Sequence, residues 1–512
     1  MNLKIQIVVA SAILAGGTVF AEPVLVPAPR QMTVGEGLYA VPADSVEAVA
    51  VRETRDASLP PEGYRLMVTT GGVSVASADA AGAFYARQTL KQLAACDGKT
   101  CSFPCLEIED APAYRWRGVH LDEVRHFFGK ENVKRILDLM AYHKLNVFHW
   151  HLTDDEGWRL EIPKYPELTK RGAVRPNSWK RGGKPHKVNG RNIIDRNTEA
   201  YGPYFYTAAD VREILAYAEA RHIRVVPEIE LPGHAGAAAT AYPELVCKPE
   251  GVRERIWDAG WGNTIDVFCV GNDETVRFLE GVLDYVCELF PSKVIHIGGD
   301  ECPRTRWKEC PKCQARMKAE GMKDINELQA WMTRHFASYL EKKGRRIMGW
   351  DEILSGDVPQ SAIGMSWRTS QKNGTGDKLT SGAEGARRGH DMVMTPHLLC
   401  YYDYRQDLPD DPFQYIGGHV SLEKAYSFDP CDGIPQEHRA HVLGGQICVW
   451  GESTFNIFDF EWKAWPRGCA LAEVFWLGDA KPGYDDFLRR MATHRTRLLD
   501  AHVNCAPLAG RY

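Results

Sequence analysis

The sequence predicts a (β/α)8 barrel, or TIM barrel, preceded by a small α+β domain. Eight short apolar runs recur after Arg117, and helical periodicity separates several of them. Acidic and aromatic residues are concentrated where these runs end. A barrel of parallel strands has this alternation and presents its functional residues at the strand ends. An open doubly wound sheet has the same alternation and is the rival fold.

Length and composition restrict the class of protein. The chain has 512 residues, of which 44% are hydrophobic and 25% are charged, and its formal net charge at pH 7 is −5. These proportions are typical of a globular protein and exclude a disordered or collagen-like chain. The mild acidity gives no support to a nucleic-acid partner, because such proteins usually carry a basic surface.

The first 21 residues have the pattern of a signal peptide. Lys4 provides the positive start, residues 5–20 are mostly apolar, and Ala21 is a small residue at the expected cleavage position. The apolar run is short and Glu22 follows it directly, which argues against a membrane span. We therefore expect an exported protein, periplasmic or secreted, whose mature chain begins near Glu22.

A small domain is expected over residues 22–112. Apolar and polar residues alternate on both sides of Gly71-Gly72, which predicts a β-hairpin. Residues 79–95 are rich in alanine and carry apolar residues at intervals that predict a helix. Asp110-Ala-Pro112 is a natural break, and the barrel is expected over residues 113–512.

The eight predicted barrel strands are short apolar runs. They lie at residues 119–121, 146–148, 225–226, 294–297, 347–348, 363–365, 392–394 and 442–443. Apolar residues at i, i+3, i+4 and i+7 predict helices that contain Val133, Val211 and Leu328. Thr207 and Asp210 form a capping-box pattern before the second of these helices.

The 14 cysteines suggest either disulfides or a metal site. They include two clusters, Cys96, Cys101 and Cys105 in the first and Cys302, Cys310 and Cys313 in the second. A Cys-x-x-Cys pair in isolation is half of a zinc site, but the local sequence offers no clear fourth ligand. Because export favours oxidised cysteines, we expect disulfides of unspecified connectivity, and we predict no metal and no cofactor.

The residues that suit catalysis or binding follow the predicted strands. In chain order they are Asp122, Arg125, His126, Asp154, Asp155, Glu228, Glu230, His234, Asp300, Glu301, Trp350, Asp351, Glu352, Trp367, Tyr401, Asp403, Tyr404, Trp450 and Glu452. Aromatic rings bind the apolar faces of sugars, whereas carboxylates and arginine bind their hydroxyl groups. Glycoside hydrolysis also needs carboxyl groups as acid and base. The combination favours a carbohydrate-active enzyme.

The most informative segment is His296-Ile-Gly-Gly-Asp300-Glu301. Neighbouring residues on a regular strand point to opposite faces, so both carboxyl groups reach one pocket only if the backbone leaves the strand. Gly298 and Gly299 make that departure easy. The alternative is an ordinary acidic pair at the barrel rim, since the chain also carries Asp351-Glu352 and Asp154-Asp155.

Seven segments, in order, resemble glycoside hydrolase family 20, the β-N-acetylhexosaminidases. They are residues 117–128, 151–158, 226–234, 296–301, 349–352, 401–403 and 449–452. Residues 82–93 also resemble the helix of the small domain that precedes the barrel in that family. The resemblance covers nearly the whole mature chain. It implies hydrolysis of terminal, non-reducing, β-linked GlcNAc or GalNAc in oligosaccharides or glycoconjugates.

The resemblance also implies a retaining, substrate-assisted mechanism. The carbonyl oxygen of the substrate's 2-acetamido group attacks the anomeric carbon and forms an oxazolinium ion. Glu301 is expected to act first as general acid and then as general base. Asp300 and Tyr401 are expected to orient the acetamido group, and Asp154 and His234 to form a relay behind Glu301.

Substrate-binding positions follow from the same resemblance. They are Arg125, Trp350, Trp367, Asp403, Trp450 and Glu452. Arginine and carboxylates suit the sugar hydroxyls, and the tryptophans suit the acetamido methyl and the ring face. Some members of the family carry a further tryptophan after the seventh strand, and Phe413 and Tyr415 are the candidates to replace it here.

Three alternatives remain open on the sequence alone. An enzyme of this kind can release a disaccharide, as lacto-N-biosidases do. A non-catalytic sugar-binding protein would need the aromatic residues but not Glu301. A metal-dependent hydrolase would use the pair His149 and His151, completed by His234, His296 and Asp300, but His149 and His296 are predicted within strands rather than at their ends. The pattern does not distinguish the gluco from the galacto configuration. It also indicates no particular natural glycan and no oligomeric state.

Overall fold

The computed structural model describes residues 23–176, 186–188, 191–193, 199–253, 264–368, 381–406, 411–413 and 415–508. The predicted signal peptide lies outside the described residues. Among the helices within these ranges, none combines the length and the apolar character needed to cross a membrane.

The N-terminal part is a mixed sheet with a helix on one face. Its strands are β1 (Gln31–Pro42), β2 (Val51–Arg55), β3 (Tyr64–Thr69), β4 (Gly72–Ser77), β5 (Ala95–Cys96) and β6 (Thr100–Asp110). The order is β1-β6-β3-β4-β2, with β5 beside β6. β3 and β4 pair antiparallel with Thr69 opposite Gly72, which confirms the predicted hairpin.

The remaining strands build the barrel and its loops. They are β7 (Trp116–Asp122), β8 (Val147–His151), β9 (Thr153–Asp154), β10 (Gly157–Trp158), β11 (Arg175–Pro176), β12 (His186–Val188), β13 (Arg191–Ile193), β14 (Ala200–Tyr201), β15 (Arg224–Glu228), β16 (Val294–His296), β17 (Arg346–Trp350), β18 (Ile363–Ser366), β19 (Met392–Met394) and β20 (Val442–Val449). β7, β8 and the six strands from β15 to β20 form a closed parallel barrel. Each predicted run overlaps one of these strands. The barrel prediction is confirmed, and the open sheet is excluded because β20 pairs with β7.

Helices connect the strands and cover the outside of the barrel. They are α1 (Ala80–Leu93), α2 (Lys130–Tyr142), α3 (Glu167–Lys170), α4 (Ala208–Glu219), α5 (Gly236–Ala241), α6 (Asp273–Leu289), α7 (Thr305–Glu309), α8 (Pro311–Ala319), α9 (Glu327–Glu341), α10 (Ser381–Arg387), α11 (His397–Cys400), α12 (Leu422–Tyr426), α13 (Ile457–Ala464), α14 (Arg467–Leu477) and α15 (Tyr484–Asp500). Short 3-10 turns lie at Val46–Ala48, Pro243–Leu245, Asp351–Leu354, Gln436–His441 and Gly478–Ala480.

The predicted helices form where their capping residues indicate. Asp79 accepts a hydrogen bond from the Gly82 amide and starts α1, which packs its apolar side on the small sheet. Thr207 and Asp210 form the predicted reciprocal capping box at the start of α4. Capping satisfies amide groups that have no partner within the helix, so these short patterns are reliable signals of a helix start.

Asp110 lies at the joint between the small sheet and the barrel. Its carboxylate accepts hydrogen bonds from Tyr64 Oη at 2.8 Å, Lys144 Nζ at 3.0 Å and Trp476 Nε1 at 2.8 Å. Trp476 belongs to α14 of the barrel and is buried in the apolar core of the small domain. Because an unpaired buried charge is costly, this network holds the two parts in one arrangement.

The disulfide prediction is confirmed for one pair and wrong for the second cluster. Cys96 and Cys101 form a disulfide between β5 and β6. Cys302, Cys310 and Cys313 are free thiols. Cys310 Sγ lies 3.7 Å from the Sγ atom of Cys269, a residue distant in sequence. That distance is too long for a disulfide bond, which measures about 2.05 Å.

Candidate active site

The predicted site residues lie after the barrel strands, at one mouth of the barrel. The structure places Arg125 after β7, Asp154 after β8, His234 after β15, Asp300 and Glu301 after β16, Trp350 at the end of β17, Trp367 after β18, Tyr401 and Asp403 after β19, and Trp450 and Glu452 after β20. This is the face on which (β/α)8 barrels carry their active sites.

The turn after β16 gives Asp300 and Glu301 their positions. Gly298, Gly299 and Glu301 have φ values of 62°, 97° and 46°, so the backbone leaves strand geometry as the sequence argument required. A Cβ atom on Gly298 would lie 1.7 Å from Glu230 Oε2, and one on Gly299 would lie 2.3 Å from Ile353 Cγ2. Both glycines are therefore needed for conformation and for space.

The two neighbouring carboxyl groups have different surroundings. Asp300 is only 7% exposed, whereas Glu301 is exposed. Asp300 Oδ2 lies 3.4 Å from His234 Nε2. Asp300 Oδ1 is buried and has no hydrogen-bond partner among the described residues. A buried acceptor without a protein partner is suited to a donor from a bound molecule.

Asp154 and His234 form a charged pair behind this turn. Asp154 Oδ1 lies 2.9 Å from His234 Nδ1, and Asp154 Oδ2 lies 3.0 Å from His151 Nε2. Burial alone would raise the pKa of Asp154, but Arg125 and His234 hold it well below its usual value. Burial alone would lower the pKa of His234, but Asp154 and Asp300 raise it well above its usual value. The contacts connect Asp154 through His234 to Asp300, which precedes Glu301.

Arg125 is held by three carboxylates. Its Nε lies 2.9 Å from Glu156, its Nη1 3.1 Å from Asp122 and its Nη2 2.8 Å from Asp154. The guanidinium also lies over the ring of Trp450, 5.4 Å from its centroid. Sequence reasoning did not select Glu156, although its place beside Asp154-Asp155 in a strand-end loop was a usable signal. Its carboxylate fixes the orientation of the Arg125 fork.

An aromatic wall lines the mouth. The Tyr401 ring stacks near Trp367 with centroids 6.3 Å apart, and it lies 6.2 Å from the Trp450 ring. The Trp350 and Trp450 rings are 5.7 Å apart. Trp367 Nε1 donates to Glu352 Oε2 at 3.1 Å. The structure therefore brings all three predicted tryptophans and Tyr401 together, with Tyr404 as a further ring 5.9 Å from Tyr401.

A buried network beneath this wall centres on Glu228. Its carboxylate lies 3.1 Å from His149 Nε2 and 2.8 Å from His296 Nδ1, and it accepts a hydrogen bond from Trp350 Nε1 at 2.9 Å. His151 also contacts the Glu228 carboxylate. Burial by itself would lower the pKa of His151, but Glu228 raises that pKa to about 10. Sequence reasoning did not assign this network a role. Its effect is to orient Trp350 from below.

Some of the side-chain groups that could hold a metal ion belong to this network. Ligand atoms of His149, Glu228 and His296 lie within 4.8 Å of one another. These three side chains are fully buried inside the barrel. Each Glu228 oxygen already has protein donors, and the imidazoles lie below the mouth rather than in it, so the geometry fits a hydrogen-bond network that supports the pocket.

Asp403 and Glu452 present unpaired oxygens. Asp403 Oδ1 accepts a hydrogen bond from the Trp450 amide at 3.4 Å, while Asp403 Oδ2 and Glu452 Oε2 have no hydrogen-bond partner among the described residues. Burial and, after it, the neighbouring Glu452 raise the pKa of Asp403 to about 7. Burial also raises the pKa of Glu452, although Arg125 opposes this. Both oxygens are suited to donors such as sugar hydroxyls.

Asp403→Asn is expected to change the pH dependence of stability. Because the folded-state pKa of Asp403 is raised from 3.8 to about 7, its contribution to stability is complete below pH 4 and is lost as the pH rises to 7. The loss is at most about 4 kcal/mol. The thermal midpoint of the variant relative to wild type should therefore be higher at pH 8 than at pH 5. A midpoint difference that is the same at both values would contradict the raised pKa.

The candidates for an outer subsite lie in the loop after Asp403. The Tyr415 hydroxyl donates to Asp411 at 2.5 Å. The Phe413 ring lies 5.2 Å from the Trp462 ring. Their replacement of the family's additional tryptophan stays a prediction.

Comparisons with known proteins identify the family. The model for "Glycosyl hydrolase family 20, catalytic domain" matches residues 114–479, and the model for "Glycosyl hydrolase family 20, domain 2" matches residues 33–111. The chain belongs to glycosyl hydrolase family 20. The resemblance found in the sequence is thereby confirmed.

Individual members of family 20 are similar over most of this chain. A beta-hexosaminidase of Porphyromonas gingivalis is 40% identical over 458 residues, which are 87% of this chain and 55% of that protein. A beta-hexosaminidase of Vibrio furnissii is 37% identical over 80% of this chain and 64% of its own length. This family 20 chain thus spans less than two thirds of these two relatives.

The fold is also similar to solved family 20 structures. The GH20 exo beta-N-acetylglucosaminidase of Vibrio harveyi, in complex with N-acetylglucosamine, superposes with a TM-score of 0.83 at 29% identity. The match covers 97% of this chain and 80% of the Vibrio harveyi chain.

Proposed function

We propose that this family 20 protein is an exported, exo-acting β-N-acetylhexosaminidase. It removes terminal, non-reducing, β-linked GlcNAc or GalNAc by a retaining, substrate-assisted mechanism. The observation that carries the proposal is the left-handed turn after β16, which gives the adjacent Asp300 and Glu301 different surroundings. Residues 1–21 are the signal peptide, residues 22–112 the small domain and residues 113–512 the catalytic barrel. The names of the two β-hexosaminidase relatives support this activity.

Asp300 orients the nucleophile. Its buried Oδ1 lacks a protein donor among the described residues and is free to accept a hydrogen bond from the substrate's acetamido N–H. Tyr401 lies in the aromatic wall and donates its hydroxyl proton to the acetamido oxygen. Held in this way, the carbonyl oxygen attacks the anomeric carbon, and the negative Asp300 stabilises the positive oxazolinium ion. Orientation of this kind replaces a separate enzyme nucleophile.

Glu301 moves the proton. It is exposed at the mouth, where it reaches the leaving oxygen and, in the second step, a water molecule. Attack of that water on the anomeric carbon opens the oxazolinium ring and restores the acetamido group. Asp154 holds the His234 imidazole, whose pKa is raised well above its usual value, against Asp300 and so keeps the turn anchored.

Asp403, Glu452 and Arg125 bind the hydroxyl groups of the terminal sugar. The unpaired carboxylate oxygens accept hydroxyl protons, and the fixed Arg125 fork donates. Trp450 and Trp350 contact the apolar ring face and the acetamido methyl. Full engagement of a terminal sugar by these groups favours removal of one residue at a time.

Product analysis on a panel of β-linked N-acetylhexosaminides tests the proposal. Mass spectrometry should detect release of a single HexNAc from the non-reducing end, and early NMR spectra should show the β-anomer first. Parallel reactions with gluco and galacto substrates establish which configuration is preferred. Release of a disaccharide, a first product of α configuration, or sugar binding without turnover would each contradict it.

A further inference from the structure

Four cysteine thiols from two connections of the barrel lie close together. They belong to Cys247, Cys269, Cys310 and Cys313, and their Sγ atoms all lie within 4.8 Å of one another. The Cys247–Cys313, Cys269–Cys310 and Cys269–Cys313 pairs are each separated by 3.7 Å. Cys247 is half-buried and the other three are buried.

These distances match a tetrahedral metal site. Four thiolates that bind Zn²⁺ at about 2.3 Å place neighbouring sulfur atoms about 3.8 Å apart. A disulfide requires about 2.05 Å between one pair. Cys269 Sγ is equally close to the Sγ atoms of Cys310 and Cys313, as expected for a cluster of ligands and not for a single bonded pair.

We propose that these four cysteines bind a structural Zn²⁺ ion as thiolates. A closed set of four soft sulfur ligands leaves no open position, so the ion acts in folding and not in the reaction. Cys310 and Cys313 come from the start of α8 with the spacing of half a zinc site. Cys247 and Cys269, from the connection between α5 and α6, supply the ligands that the local sequence lacked.

The backbone around the cluster is shaped to bring the two halves together. Val246 and Phe268 form an antiparallel bridge, and the Cys269 amide donates to the Leu245 carbonyl at 2.8 Å, so the chain segments that carry Cys247 and Cys269 lie next to each other. A Cβ atom on Gly271 would lie 2.1 Å from the carbonyl carbon of Lys312, so only glycine allows this approach. Ordinary apolar packing of thiols does not require the two loops to approach this closely.

The ion would tie together two loops of the active-site face. One loop follows β15 and carries His234, and the other follows β16 and carries Asp300 and Glu301. The same segments are joined by a hydrogen bond of 2.9 Å from Trp307 Nε1 to the Phe268 carbonyl. The zinc site would therefore join the connection between β15 and β16 to the connection between β16 and β17.

Elemental analysis of the untagged, full-length protein tests this proposal. Protein produced with zinc in the medium should retain one zinc ion per chain after dialysis, and Cys310→Ser should lose it. Cys287→Ser is the matched control, because Cys287 is a half-buried thiol on α6 outside the cluster. Cobalt exchanged into the site should show the charge-transfer and visible bands of tetrahedral thiolate coordination. Absence of bound metal, or iron in place of zinc, would overturn the proposal.

A second measurement does not depend on the folding of a variant. Wild-type protein is denatured without reductant, in the presence of a chelator and an alkylating reagent. All four cysteines should be alkylated, whereas Cys96 and Cys101 should stay joined as the internal control. A disulfide between any two of the four, found by mass spectrometry, would overturn the zinc site and leave the proposed hydrolase activity untouched.

Discussion

Replacement of Glu301 by glutamine is expected to lower kcat by about 10²–10⁴-fold while the affinity for the sugar stays near the wild-type value. Glutamine keeps the shape of the side chain but cannot give a proton to the leaving oxygen. Glu301 is exposed, so the change opens no cavity in the core. Steady-state rates and equilibrium binding of GlcNAc measure the two quantities separately.

The size of this loss should depend on the leaving group. A nitrophenol departs with little protonation, whereas a sugar leaving group needs the full proton. The variant should therefore lose more activity on a β-linked disaccharide than on the nitrophenyl glycoside. Glu288→Gln makes the same chemical change at an exposed position on α6, before β16, and should keep both rates. Wild-type rates in the Glu301→Gln variant would show that Glu301 is not the general acid.

Removal of the 2-acetamido group from the substrate is the second large effect. A nitrophenyl β-glucoside should react on the order of 10⁴-fold or more slowly than the corresponding N-acetylglucosaminide. The neighbouring carbonyl is worth an effective concentration of about 10⁵ M or more, and the glucoside lacks it. The comparison keeps the leaving group and the ring configuration constant. Equal rates for the two substrates would contradict anchimeric assistance.

A graded substrate series sharpens this test. Successive fluorination of the acetyl methyl group withdraws electron density from the carbonyl oxygen, so kcat should fall with each fluorine. A mechanism with a carboxylate nucleophile would show little dependence on fluorination. Isolation of a sugar esterified to a protein carboxylate would also contradict the proposal.

The site was partly predictable because its residues follow strands. Gly298 and Gly299 indicated the turn before Asp300, and the turn is present. The contacts of Asp300 were not predictable, because His234 comes from another loop. Arg125 was expected to bind hydroxyls, yet the structure also bonds it to Asp122, Asp154 and Glu156, which only the folded barrel brings together.

The cysteines show the same limit. Local spacing identified Cys310 and Cys313 as half of a site, and export suggested disulfides. The missing partners, Cys247 and Cys269, lie in another connection, and no local pattern marks them as neighbours. Only the packing of the loops after β15 and β16 brings the four thiols together, with three pairs of Sγ atoms each separated by 3.7 Å.

The sequence alone determined the order of strands and helices, the barrel, the family and the residues available at each strand end. Those properties depend on periodicity, capping and short motifs, which act within a few residues. Tertiary structure decided which carboxylates are paired, which oxygens are left for a substrate, and how Glu228 supports Trp350. In a parallel barrel neighbouring strands come from distant segments, so these contacts exist only once the ring between β20 and β7 has closed.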